Sequence, residues 1–226
     1  MNIALIVAGG SGTRLKTANQ PKQFIDINGK PLLTYSISAF ENHPKIDAIV
    51  IVVINEYIDL VKKWCNQYNF LKVKAVISGG STRQESVFNG LKEIKSFAKD
   101  DDIVLIHDAA RPLISKEIIN NNIEACLKHD AVTTALLSKD TVIHSINQQS
   151  INDVPNRKEL YQSQTPQTFK LSLILEAHQK NNSDNATDDA QLVLGLGKDV
   201  FIIEGSSLNF KVTTDEDLTM LKALVK

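Results

Sequence analysis

Short runs of apolar, mostly β-branched residues alternate with segments of helical periodicity along most of the chain. Residues 48–54 (AIVIVVI) are the clearest run, because an unbroken segment of this kind is typical of a strand buried on both faces. Similar runs at residues 3–7, 72–77, 103–106 and 131–137 predict further strands. This alternation predicts an α/β fold with a mostly parallel, twisted sheet that is covered by helices on both faces.

The segments between these strands carry apolar residues at helical spacing. They predict helices over residues 32–40, 58–68, 83–97, 116–129, 172–180, 188–196 and 215–225, with one more strand at 200–204. The chain has 226 residues and no Pro-, Gly- or Ser-rich linker, so a single domain over residues 1–226 is expected.

Charge and apolar patterning exclude two classes of partner. Lys and Arg total 25 against 26 Asp and Glu, so the chain lacks the basic excess that is usual in nucleic-acid-binding proteins. No apolar run approaches the roughly 18 residues of a membrane span.

The short apolar start runs straight into a glycine-rich turn and is not expected to be a signal peptide. Cys65 and Cys126 have no metal-type spacing, which favours a reducing cytoplasm.

The βα rhythm changes near residue 138. Residues 141–151 (TVIHSINQQSI) alternate apolar and polar side chains around a polar centre, which predicts a hairpin. Because an isolated hairpin is only marginally stable, we expect a β-arm at about 138–157 that leaves the body and contacts another subunit. A surface hairpin folded back on its own domain is the alternative.

Three strand ends carry residues suited to binding phosphates. After the first strand, residues 8–14 (AGGSGTR) offer backbone amides and an arginine, and Lys22 adds a second cation. The spacing matches neither the dinucleotide-binding motif nor the P-loop. Residues 79–87 (GGSTRQESV) precede a helix, where capping is the simplest explanation for the hydroxyls. Residues 107–112 (HDAARP) place a carboxylate after a buried strand, with His107 expected to be structural.

Three later segments contribute further candidates. Arg157, Thr165 and Lys211 together suggest a pocket for a phosphorylated small molecule, although each is also explained as part of a turn or cap. The same two explanations, part of a binding pocket or part of a turn or cap, apply to residues 187–190 (TDDA) and 209–214 (NFKVTT).

The order of these segments, from AGGSGTR to NFKVTT, resembles the cytidylyltransferases that act on 2-C-methyl-D-erythritol 4-phosphate in the non-mevalonate isoprenoid pathway. It also resembles their sister group, the ribitol-5-phosphate cytidylyltransferases of wall and capsule synthesis. The resemblance covers essentially the whole chain. It implies a Rossmann-like nucleotidyltransferase fold and an in-line attack of the acceptor phosphate on the α-phosphorus of CTP, with release of pyrophosphate.

The resemblance also implies roles for individual residues. Arg14 and Lys22 would stabilise the transition state, and Arg157 and Lys211 would position the acceptor phosphate, with Arg157 acting across a homodimer interface. Asp108 would lie near the acceptor and near Mg²⁺ held mostly by CTP oxygens. The residues implied to bind CTP are Ala8, Gly9, Gly10, Ser11, Gly12, Gly80, Ser81, Arg83 and Ser86. Those implied to bind the acceptor are Asp108, Arg111, Thr165 and Thr187.

The choice between the sister groups depends on small departures. The double glycine in residues 8–10 and the PNR at 155–157 are more like the ribitol group. The paired alanines at 109–110, the segment 79–86 and the segment 187–190 look like the methylerythritol group. Methylerythritol phosphate is therefore the expected acceptor, with ribitol phosphate as the alternative. Substrates that differ by a methyl group and one carbon are separated by only about 1–3 kcal/mol in a pocket.

Two functions outside these groups remain to be distinguished. One is a non-catalytic nucleotide-binding protein, against which the presence of Arg14, Lys22 and Lys211 argues. The other is a nucleotidyltransferase that uses UTP or GTP with a hexose phosphate, which would share the first glycine-rich loop but need neither the arm nor the second double glycine.

Overall fold

The computed structural model describes residues 1–10, 21–180 and 186–225. The strands are β1 (Asn2–Ala8), β2 (Asp26–Ile27), β3 (Lys30–Pro31), β4 (Ala48–Val53), β5 (Val73–Ser78), β6 (Ile103–Asp108), β7 (Ala131–Leu137), β8 (Tyr161–Lys170) and β9 (Phe201–Glu204). The helices are α1 (Leu32–Glu41), α2 (Ile58–Gln67), α3 (Arg83–Lys95), α4 (Lys116–His129), α5 (Leu171–Lys180), α6 (Asp189–Gly195) and α7 (Asp215–Leu224). None of the helices in the described ranges is long and apolar enough to cross a lipid bilayer.

Seven strands form one sheet in the order β5-β4-β1-β6-β8-β7-β9. Strands β5, β4, β1 and β6 are parallel, as are β7 and β9, whereas β8 runs antiparallel to both of its neighbours. The chain moves outward from β1 to β4 and β5, and then returns to place β6 on the other side of β1. The gap between β1 and β6 is therefore a topological switch point, where ligands of open α/β sheets bind at the carboxyl ends of the strands.

Helices cover both faces of the sheet, as expected. Side chains alternate along β1, so that Ala4 and Ile6 pack with α1, α2 and α4, whereas Ile3 and Leu5 pack with α3, α5 and α6. Helix α7 packs on the small hairpin of β2 and β3 through a third apolar cluster. The mixed α/β architecture with a mostly parallel sheet is confirmed.

Strand β8 is the large element that the sequence pattern did not predict. Its buried residues include the polar side chains of Gln164, Thr165, Gln167 and Thr168. Hydrogen bonds satisfy them; for example, Thr168 donates to Asn122 Oδ1 at 3.1 Å. Pro166 lies one residue beyond the last pair with β6, so its missing N–H interrupts no ladder bond there.

The segment predicted to be an arm turns back on itself, as expected of a hairpin. Its pairing is limited to one antiparallel bridge between His144 and Asp153, and regular strands do not form within residues 139–157. Four apolar side chains of this segment are more than half exposed, namely Ile143, Ile146, Ile151 and Val154. Polar side chains supply much of its remaining internal bonding, because Asn147 and Asn152 accept hydrogen bonds from nearby backbone N–H groups.

Candidate active site

A cleft of about 450 Å³ lies at the carboxyl ends of β1 and β6, beside the first turn of α3. This is the switch point of the sheet. Its walls come from the glycine-rich segments and from the chain that follows β6 and β9. The lining residues are Val7, Ala8, Gly9, Gly10, Lys22, Gln23, Gly80, Ser81, Thr82, Arg83, Ser86, Asp108, Ala109, Ala110, Lys211 and Thr213.

The first glycine-rich segment is held by a buried glutamine. The side-chain amide of Gln23 donates to the carbonyl of Ala8 at 2.6 Å and to the carbonyl of Gly10 at 3.0 Å. Both N–H groups of the amide are therefore used, and they hold the backbone at Ala8 and Gly10 without any ligand. The predicted sites at Ser11, Gly12 and Arg14 lie outside the described residues.

The second glycine-rich segment is held in its conformation by hydrogen bonds from its own side chains. Thr82 caps α3 by accepting a hydrogen bond from the N–H of Glu85, and Ser86 Oγ accepts from the N–H of Gly80 at 3.0 Å. The carboxylate of Glu85 in turn accepts from the N–H of Ser81 at 2.6 Å. The Gly80 and Ser81 amides are therefore engaged within the segment. A Cβ on Gly80 would come within 2.6 Å of three Glu85 side-chain carbons, so glycine is required for this closure.

Asp108 lies between two cations at the end of β6. Lys211 Nζ donates to its Oδ2 at 2.7 Å, and Arg83 Nε lies 3.5 Å from its Oδ1. Burial alone would raise the pKa of the Asp108 carboxyl, but Arg83 and Lys211 outweigh it and hold this pKa well below its usual range. The backbone N–H of Asp108 donates to Thr165 Oγ1 at 3.1 Å. The cleft therefore contains an ionised carboxylate at a fixed position.

The cleft carries an excess of positive charge. Its described lining residues include three cations, Lys22, Arg83 and Lys211, and a single carboxylate, that of Asp108. Lys22 Nζ also donates to the carbonyl of Val212 at 2.8 Å, which joins the loop after β1 to the segment after β9. Such a cleft favours a ligand with several negative charges, such as a triphosphate.

His107 and Arg111 support the loop after β6 and do not line the cleft. The His107 ring donates from Nε2 to the Arg111 carbonyl at 3.0 Å, which leaves Nδ1 to accept from the Thr165 hydroxyl at 3.1 Å. Burial lowers the pKa of His107 to about 4, so the ring is neutral at pH 7. The Arg111 guanidinium donates to the carbonyls of Asn209 and Ser163. Its predicted role in acceptor binding stays a prediction.

The structure does not bring Arg157, Thr165 and Lys211 into one pocket of a single chain. Arg157 is exposed, donates to the carbonyl of Lys139 at 3.1 Å, and lines a separate hollow beside β7 and the arm. Thr165 is buried next to Asp108. Thr187 is exposed and donates to the side chain of Gln191. Of the predicted acceptor-binding residues, Asp108 and Lys211 are in the cleft.

Sequence analysis gave no individual role to Gln23 or to Asp189, although Asp189 lies within the candidate segment 187–190. Asp189 is buried, and its Oδ2 lies 2.8 Å from Arg83 Nη2. A glutamine between two cleft-lining segments and the second aspartate of a helix cap carry little signal in sequence, because exposed loops contain both types frequently.

Comparison with known families identifies the kind of protein that contains this cleft. The family model of 2-C-methyl-D-erythritol 4-phosphate cytidylyltransferase (IspD) matches residues 2–226. The chain belongs to this family. It is therefore a nucleotidyltransferase.

Similar proteins of both sister groups were found. A ribitol-5-phosphate cytidylyltransferase of Streptococcus agalactiae serotype V is 39% identical over 227 residues, which cover 99% of this chain and 95% of the relative. A 2-C-methyl-D-erythritol 4-phosphate cytidylyltransferase of Clostridium botulinum strain Langeland is 40% identical over 221 residues, covering 97% and 95%.

Solved structures of the family have the same fold. The 4-diphosphocytidyl-2C-methyl-D-erythritol synthase of Anaerococcus prevotii superposes with a TM-score of 0.85 at 31% identity, covering 100% of this chain and 96% of that one. The 2-C-methyl-D-erythritol 4-phosphate cytidylyltransferase of Francisella tularensis superposes with a TM-score of 0.82 at 29% identity, covering 99% of each.

Proposed function

We propose that the protein transfers CMP from CTP to 2-C-methyl-D-erythritol 4-phosphate, giving the CDP-polyol and pyrophosphate. The observation that carries this proposal is the charge of the cleft at the switch point of the sheet, whose described lining includes the three cations Lys22, Arg83 and Lys211 and one carboxylate, Asp108. A CTP molecule brings a highly charged triphosphate, and the acceptor brings a further phosphate. The positive cleft compensates this charge, and the family match names the reaction.

In the proposed reaction a phosphate oxygen of the acceptor attacks the α-phosphorus of CTP in line. The new P–O bond forms as the bond to the departing pyrophosphate breaks, and no covalent enzyme intermediate is needed. Lys22, together with Arg14 in our proposal, neutralises charge on the α-phosphate and the leaving group. Lys211 is held by Asp108 and grips the acceptor phosphate. Catalysis then consists of positioning and charge stabilisation.

We propose Mg²⁺ as the metal of this reaction, bound mainly by the substrate. No cluster of three or more His, Cys, Asp or Glu side chains lies within the part of the chain that the structure describes. Asp108 is the carboxylate that lines the cleft, and both of its oxygens already face cations. This donor set fits Mg²⁺ only where triphosphate oxygens and water complete the octahedron. When bound, the metal would neutralise charge on the phosphates.

Ribitol 5-phosphate is the second candidate acceptor, and the similarity of the chain to relatives of both groups supports it as an alternative. Relatives named for ribitol 5-phosphate and for methylerythritol phosphate are equally similar to this chain, at 39–40% identity. Pyrophosphate release, measured with each of the four NTPs and each of the two acceptors, tests base and acceptor together. We expect CTP with methylerythritol phosphate to give the highest kcat/KM. A higher value with ribitol phosphate would reverse the acceptor assignment, and a preference for another NTP would refute cytidylyl transfer.

We propose that the protein is a homodimer in which the arm of one subunit, residues 138–157, completes the site of the other. The exposed Ile146 and Ile151 give the arm an apolar surface that a partner would cover. In a single chain, Arg157 lines a hollow separate from the cleft that contains Lys211. A second subunit would supply the missing arginine through a symmetric interface.

Complementation between two inactive variants tests this shared site. Arg157→Gln and Lys211→Gln are each expected to lose activity when assayed alone. After the two are unfolded together and refolded as a mixture, half of the dimers are mixed, and each mixed dimer has one intact site. Activity should therefore return to about a quarter of the wild-type value. A mixture that stays inactive although dimers form would refute the shared site, as would a fully active monomer.

We propose a cytoplasmic location for the protein. Cys65 and Cys126 are both buried and are not paired in a disulfide. Burial raises the pKa of the Cys65 thiol to about 11 and that of Cys126 to about 12, so both are unreactive thiols at pH 7. Fractionation of cells with an antibody against the protein tests the location.

A further inference from the structure

A row of alternating charges leads from the cleft to the start of α6. Lys211 Nζ donates to Asp108 Oδ2 at 2.7 Å, and Asp108 Oδ1 lies 3.5 Å from Arg83 Nε. The opposite end of the same guanidinium, Nη2, lies 2.8 Å from Asp189 Oδ2. Arg83 is thus shared between a carboxylate inside the cleft and one outside it. Its closer contact is with the one outside.

Asp189 is fixed from every side. Its side chain is only 1% exposed, its backbone N–H donates to Gln167 Oε1 at 2.9 Å, and its Oδ1 accepts from His178 Nε2 at 3.2 Å. The His178 ring is stacked on Phe88, five residues further along α3 from Arg83, with the two planes 2° apart. Burial alone would raise the pKa of Asp189, but Arg83 and His178 lower it overall. Asp189 is therefore a fixed negative charge.

Arg83 would move if this charge were absent. A guanidinium prefers to bind one carboxylate through two parallel hydrogen bonds. The 3.5 Å approach of Nε to Asp108 is longer than such a bond, and the pull of Asp189 on Nη2 accounts for it. Without Asp189, Asp108 would be the remaining carboxylate in contact with Arg83 among the residues that the structure describes. The guanidinium would then close on Asp108 and compete with Lys211 for it.

We propose that Asp189 is a positioning residue of the transfer reaction, which holds Arg83 away from Asp108 so that Asp108 keeps Lys211 aimed at the acceptor. This inference rests on the proposed function. Asp189 itself touches no substrate in this proposal and acts only through Arg83.

Two single variants separate positioning from support of α6. Asp189→Asn has nearly the same shape but lacks the charge. We expect its kcat/KM for the acceptor to fall by about 10- to 100-fold, the range for a displaced positioning group. Asp188→Asn is the matched control, because Asp188 caps the same helix through the N–H of Gln191 without contacting Arg83. Its carboxylate also accepts hydrogen bonds from Ser163 and Gln167, so we expect a fall in kcat/KM that is much smaller than in Asp189→Asn; an equal fall would point to support of α6 instead of positioning of Arg83.

A double variant tests whether Asp189 acts through Arg83. If it does, Arg83→Gln and the double variant with Asp189→Asn have the same activity, because no guanidinium is left to move. In Asp189→Asn the cation of Arg83 stays buried without its partner, which would destabilise that variant. Arg83→Gln and the double variant both lack this cation, so their activities can be compared even if Asp189→Asn does not fold. A further tenfold loss in the double variant would overturn the inference, as would wild-type kinetics of Asp189→Asn.

The same assays distinguish failure of the inference from failure of the proposed function. A wild-type protein that releases no pyrophosphate with CTP and either acceptor refutes both. An active wild-type protein whose Asp189→Asn variant is equally active refutes only the positioning role.

Discussion

Protonation of His107 is expected to make the fold less stable in mild acid. Burial lowers the pKa of this ring from 6.5 to about 4 in the folded chain. Between these values the unfolded chain binds the proton and the folded chain does not. The contribution of the neutral ring is therefore complete above pH 6.5 and is lost as the pH falls towards 4. The free energy of unfolding should decrease by about 2 kcal/mol between pH 7 and pH 5.

Urea unfolding at several pH values measures this decrease, with fluorescence of Trp64, the single tryptophan, as the signal. Asp108 and Asp189 have lowered pKa values and lose their contribution only below about pH 4, outside this range. Burial also lowers the pKa of His43, which adds a decrease of the same sign. His107→Gln should remove most of the slope, whereas replacement of the exposed His144 by Gln should not. An unchanged slope in His107→Gln would refute the assignment.

Two further substitutions test the packing behind the cleft. Gly90→Ala in α3 would place a Cβ 2.4 Å from Leu5 Cδ1, so urea unfolding should show a loss of about 1–3 kcal/mol even though alanine favours helices. Gly195→Ala in α6, where the added Cβ meets open space, is the control and should not destabilise the protein. Gln23→Leu removes both bonds to the carbonyls of the first glycine-rich loop and should cost about 1–3 kcal/mol. Calorimetry should also show weaker CTP binding by this variant, and unchanged affinity would contradict the role of Gln23.

Most of the fold could be predicted from the sequence because the parallel half of the sheet is built from unambiguous signals. Strand β4 is apolar at every position and buried at every position, and β1 and β6 are nearly so. Strand β8 contradicts this pattern, because its buried residues Gln164 and Thr168 are polar and are satisfied by partners 42 and 46 residues away. A pattern of hydrophobicity cannot show hydrogen bonds of such long range.

The candidate site likewise contains some features that could be predicted from the sequence and others that could not. The two glycine-rich segments and Asp108 were predictable, because carboxyl ends of parallel strands meet at one edge of the sheet. The capping threonine was among the candidates for α3, and the structure selects Thr82. The engagement of the Gly80 amide by Ser86 and the grip of Asp189 on Arg83 were not predictable, since both depend on side-chain directions that the spacing leaves open.

The position of β8 has a consequence for synthesis of the protein. Strand β7 bonds to β8 and β9 but not to β6, although it follows β6 in the chain. While the ribosome makes the polypeptide, residues 131–137 therefore emerge as an apolar strand without a neighbour until residues 161–170 arrive. During that interval the finished parallel half of the sheet ends in an open edge at β6, where another nascent chain can pair. The polar residues of β8 lower the tendency of this late strand to form such wrong pairs.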